Sequence, residues 1–169
     1  MSSIDLAPGM GFRITASEIP NIVTEFFSSV DAPAIDKLVQ RYMASLKENP
    51  ILSVSLTGKR FVIGLEIAID IYFGRGSGNA DLFGFPDVVF FMKMYRMLCN
   101  RSGDPERRIL DGRLRDSLNP DRDFREFSCE LYVAFAYASY GCSVSLVDMD
   151  EKVKGLTSLM SFPVTINFE

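Results

Sequence analysis

The sequence predicts an α+β fold: a helical N-terminal pair, a β-hairpin, two further helices, then a helix-strand-strand unit. Three patterns carry this expectation. Residues 35–46 repeat apolar side chains at helical spacing. Residues 61–73 instead place one at every odd position, and residues 119–149 join a capped amphipathic helix through Gly141 to a short strand. That last stretch organises the chain. Residues 1–169 read as a single domain, with 1–118 as an N-terminal helical and hairpin region built onto a 119–169 unit.

Taken in order, residues 1–16 carry glycine and proline, with a short extended piece at 11–15. Ser17 caps a helix through Ser28 that puts Ile19, Ile22, Val23 and Phe26 on one side. Asp31 caps the second helix, Pro33 sits in its first turn, and Ile35, Leu38, Val39, Tyr42, Met43 and Leu46 form its stripe. It stops before Pro50, because the residue preceding a proline is pushed out of the helical region. The two helices are expected to form an antiparallel pair.

The period then changes. Phe61, Ile63, Leu65, Ile67, Ile69, Ile71 and Phe73 alternate with Gly64, Glu66, Ala68 and Asp70, which predicts a long strand with one buried and one mixed face. Val54 and Leu56 alternate with serine and threonine before it, and Gly58-Lys59 supplies a turn, so residues 51–73 read as a β-hairpin. A loop covers 74–86. Residues 87–100 are apolar almost all round, as in a buried helix, with a strand at 88–91 as the alternative. Ser102 or Asp104 starts an exposed helix with Ile109 and Leu114 inward. Asn119 or Asp121 caps the organising helix, whose stripe is Phe124, Phe127, Leu131, Ala134, Phe135 and Ala138. Val144 and Leu146 mark a strand after Gly141, and Val164, Ile166 and Phe168 a final one.

Composition narrows the chemistry. There is no histidine, which excludes a Ser-His-Asp or Cys-His nucleophile and removes the usual nitrogen ligand of zinc. Three cysteines without CxxC spacing read as reduced thiols in a cytoplasmic protein. What remains is carboxylate chemistry with magnesium or calcium, lysine chemistry, or none. A formal net charge of -4 weighs against a polyanion partner unless a local basic patch exists. The first residues have neither a basic region nor an apolar core, so no signal peptide is expected, and no apolar run is long enough to span a membrane.

Several constellations carry candidate chemistry. Glu126 and Glu130 lie four apart and share a helix face, with Arg122 and Arg125 near them. Glu66 and Asp70, on a strand, would stand about 13 Å apart, too far for one metal's ligand shell. Gly74, Gly76 and Gly78 follow a predicted strand but match no phosphate-loop spacing. Arg107, Arg108, Arg113 and Arg115 make the best basic cluster, yet Asp104, Glu106, Asp111 and Asp116 interleave with it, as on a salt-bridged exposed helix.

The helix carrying Glu130, then Gly141, then the strand at 143–149, resembles the opening of the PD-(D/E)xK nuclease-like core. The resemblance covers residues 119–169. It implies that Glu130 helps organise a magnesium site, with Asp148, or alternatively Asp150, as a second metal ligand and Glu169 in the acidic catalytic slot. The pattern's Pro-Asp pair is missing from the region 154–169, and no lysine follows Glu169. The implied function is therefore a partial or inactive nuclease-like scaffold connected with nucleic-acid processing, not active as this chain alone and needing no cofactor unless magnesium serves that site. The alternative is a non-enzymatic protein–protein interaction module. Fourteen phenylalanines and eight methionines, many between 83 and 98, favour a homo-oligomer or a protein partner over nucleic acid.

Overall fold

The computed structural model describes residues 3–5, 13–48, 56–75, 84–119, 124–140, 143–146 and 164–167. In chain order they form β1 (Ser3–Asp5), β2 (Arg13–Thr15), α1 (Ile19–Ser29), α2 (Ala32–Glu48), α3 (Leu56–Tyr72), α4 (Phe85–Arg101), α5 (Asp104–Ser117), α6 (Phe124–Ser139), β3 (Ser143–Leu146) and β4 (Val164–Asn167). The strands form two antiparallel ribbons, β1 with β2 and β3 with β4, with Ile4 opposite Ile14 and Val144 opposite Ile166. Two-stranded ribbons are marginal by themselves. The fold is therefore predominantly helical, and the α+β expectation is corrected.

The correction turns on α3. Residues 61–72 are helical, not the second strand of a hairpin, and the proposed turn at Gly58-Lys59 lies inside the helix; residues 51–55 fall outside the described residues. The physical reason is the helix's position. It packs against α1, α2, α4 and α6, so apolar side chains are wanted on nearly every side. Phe61, Val62, Leu65, Ala68 and Ile69 are buried at helical spacing, and Ile67 is buried too. The polar residues hold the true period: Lys59, Glu66 and Asp70 fall on the one outward strip, exposed or half-buried. Strict alternation of isoleucines was a coincidence of a helix apolar almost all round.

α3 ends on a left-handed glycine. Gly74 has φ +64°, the Gly74 N–H donates to the Ile71 carbonyl at 3.2 Å, and the Arg75 N–H reaches the Asp70 carbonyl at 2.8 Å. This is the paired hydrogen-bond pattern that closes a helix where a residue with positive φ follows it. A second positive-φ glycine, Gly84 at +81°, launches α4. There the chain runs against α3: a side chain on Gly84 would collide with the Arg60 carbonyl, and one on Gly64 would lie 2.6 Å from the Gly84 oxygen. Glycine at both positions lets two backbones meet.

α4 is buried along most of its length, through Phe85, Val88, Val89, Phe91, Met92, Met94, Tyr95, Leu98 and Cys99. It is a helix throughout, not a strand at 88–91. α1 packs on α4 and α3, and α2 packs on α3, so the N-terminal helices are bridged by α3 and do not close on one another. Helix starts differ in detail from the sequence reading. α1 begins at Ile19 after Glu18, whose carboxylate accepts from the Thr15 N–H at 2.7 Å, and Ser17 makes no cap. Asp31 does accept from the Ala34 N–H, at 3.1 Å, at the start of α2. α6 buries Phe124, Phe127, Leu131, Ala134, Phe135 and Ala138.

Aromatic rings tie these helices together. Phe91 of α4 stands edge-on to Phe26 of α1, Phe61 of α3 and Phe127 of α6, and Phe61 stacks on Phe124 with ring centres 3.5 Å apart. Such pairs contribute about 0.5–1.5 kcal/mol each beyond the area they bury.

Candidate functional site

The sequence-derived site is not assembled among the described residues. Glu130 lies on α6 with its carboxylate accepting from Arg113 of α5, and both side chains are about three-quarters buried. Burial holds the Glu130 carboxyl above its ordinary range; Arg113 opposes that rise and Glu126, one turn earlier, adds to it. The pair joins α5 to α6, so Glu130 faces a guanidinium and not an open ligand position. Asp148, Asp150 and Glu169 lie outside the described residues. Among the described residues no group of three or more cysteine, aspartate or glutamate side chains stands close enough to hold a metal ion.

The other constellations separate. With α3 helical, Glu66 and Asp70 share one face, about 6 Å apart in place of the expected 13 Å. Gly74 is the helix stop, while Gly76 and Gly78 lie outside the described residues. The basic cluster on α5 is partly engaged within the fold. Arg107 donates from Nε to the Cys99 carbonyl at 2.8 Å and pairs with Asp104, and Arg113 holds Glu130. Arg108 and Arg115 are exposed.

Between α4 and α5 a buried polar cluster gathers. The Tyr95 hydroxyl donates to the Asp111 carboxylate, and burial, helped by that carboxylate, pushes the phenol above its ordinary range. Cys99 sits beside them, its thiol pushed up to about 11 by burial and by Asp111. A buried tyrosine needs an acceptor, and Asp111 satisfies it. The cluster fixes α4 against α5 and offers no thiolate at neutral pH.

A concave feature of the described surface lies elsewhere. α3, α4 and α6 enclose a groove of about 430 Å³. Phe61, Phe90, Phe91, Met94, Phe124 and Tyr132 supply its apolar walls. At its rim Arg60 donates to Asp87 at 3.1 Å, an exposed pair. Cys129, exposed, opens into it beside Ser128.

α6 continues the apolar surface outward. Residues 131–140 contain no charged side chain. Tyr132, Tyr137 and Tyr140 stand 41%, 37% and 80% exposed, with Val133 and Ala136 half-buried between them. The helix thus carries a buried apolar stripe and a second, outward one. The sequence reading found the first and passed over the second; its signal was the missing charge on a helix face open to water.

Comparison of the chain with protein-family models, with curated proteins and with solved structures finds no match. Among the described residues no helix is long and apolar enough to cross a membrane.

Proposed function

We propose that this chain is a non-enzymatic interaction module that binds a protein partner through the groove of α3, α4 and α6 and the outer stripe of α6. The observation that carries it is the uncharged, tyrosine-bearing run 131–140 lying open beside an aromatic groove. Protein interfaces deplete charge at their centre and enrich tyrosine, phenylalanine and methionine, and this face has that composition. A solvated helix face would carry charged side chains instead, as α5 does with its arginines, aspartates and Glu106. Glu130, the residue on which the nuclease-like reading depends, is occupied by Arg113, which supports the module over that alternative. A partner helix presenting two or three apolar side chains would seat them among Phe61, Phe90 and Met94.

The test is photo-crosslinking in the producing cell, with a benzophenone amino acid placed singly at Tyr132, Tyr137 and, as control, Lys37 on α2. The expected result is a discrete protein adduct from 132 and 137 and none from 37. No adduct from either α6 position, with the variants folded, would refute the module.

A further inference from the structure

We propose that the occupant of this face is a second copy of the same chain, joined about a two-fold axis with α6 against α6. The inference rests on the interaction-module reading and names its partner. In a two-fold contact one patch must complement itself, so it needs both projections and a recess on the same surface. That condition is met here. Tyr132 forms part of the groove wall and also projects, Tyr137 projects further along the same helix and Tyr140 just past its end, and the groove opens beside them.

Charge supplies the second argument. A two-fold axis brings every charge near it towards its own copy, so a self-binding face must be neutral near its centre. Residues 131–140 are. The groove's rim carries one cation and one anion, Arg60 and Asp87, which sum to zero and offer each sign to an approaching copy. The outward stripe Tyr132, Val133, Ala136, Tyr137 and Tyr140 follows the i, i+1, i+4, i+5, i+8 spacing by which one helix packs along another.

The experiment is sedimentation velocity on the full chain at high micromolar concentration, with Tyr137→Asp, Tyr137→Lys and their equimolar mixture. Wild type is expected as a dimer. Each variant alone should weaken the dimer roughly tenfold or more, because it sets two like charges across the axis. Mixing them should restore dimer, since opposite charges then meet. Circular dichroism confirms that both variants remain helical. A monomeric wild type overturns the second-copy inference and leaves the crosslinking test of the module standing. In that test a second copy gives an adduct of twice the 18.9 kDa chain mass, and a different polypeptide gives another mass. A dimer that neither variant weakens overturns the second-copy inference at this face and leaves the crosslinking test of the module standing. A mixture that stays monomeric overturns the α6-to-α6 arrangement.

Discussion

Two glycine-to-alanine substitutions should move stability in opposite directions, and the difference tests how α3 and α4 meet. Gly64 and Gly112 both lie inside helices, α3 and α5. In an unobstructed helix interior, alanine is favoured over glycine by about 0.8–1.0 kcal/mol. At Gly112 nothing lies within 4 Å of the added methyl, so Gly112→Ala should gain about that much. At Gly64 the methyl would sit 2.6 Å from the Gly84 carbonyl oxygen, 2.7 Å from its carbon and 2.8 Å from a Val88 methyl. Two of these neighbours are backbone and cannot swing away. Overpacking of this kind costs about 1–3 kcal/mol, and a backbone obstacle puts the cost at the upper end. Net of the propensity gain, Gly64→Ala should lose about 1–2 kcal/mol. Urea unfolding followed by circular dichroism would separate the two variants by about 2–3 kcal/mol, with unchanged slopes. Stabilisation by both substitutions would mean that α3 and the start of α4 do not touch at these residues. The same result would remove the reason for glycine at 84.

Two further outcomes follow from ionisation states. The folded protein holds the Glu130 proton more tightly than the unfolded chain does, so protonated Glu130 favours folding. That contribution is full below the ordinary carboxylate pKa and is lost as pH rises through the folded one. The stability of wild type minus that of Glu130→Gln should therefore fall between acid and neutral pH; a rise would show that Arg113 outweighs burial. In a Cys142→Ser background, Ellman's reagent near pH 8 should titrate the exposed Cys129 at once and Cys99 only after denaturant is added. Equal rates for the two thiols would contradict the burial of Cys99.

Helices with one wet side were legible in the sequence. The stripe of α2 stands where the 3.6-residue period puts it, because water on the far side keeps the polar positions polar. That of α6 stands there too, although its outer side turns apolar after Glu130. α3 was not legible for the converse reason. Four neighbouring helices cover it, so Ile63, Val62, Gly64 and Ala68 are all admissible, and alternation arises without a strand. Only Lys59, Glu66 and Asp70 kept the helical period, and three residues are a faint signal. The candidate site was hidden by a different cause. Glu130 drew notice as a charge, whereas the groove is made by Phe61, Phe90 and Phe124, brought together from α3, α4 and α6 only by the fold. Its one local mark was the lack of charge from 131 to 140.

The packing of α1 on α4 has a consequence for the chain during its synthesis. Phe26 meets Phe91 and Tyr95, and Glu18 bonds Lys93 across 75 residues of sequence. A ribosome adding about 5–20 residues per second needs roughly 4–15 s to bring α4 out after α1. Through that interval Phe26 lacks Phe91 and Tyr95, although its own helix can already form and α3, which places Tyr72 beside Phe27, comes out earlier. The nascent chain therefore displays a short, sticky amphipathic helix before its cover is complete. That interval, more than anything in the finished fold, is when a holding chaperone would meet this protein.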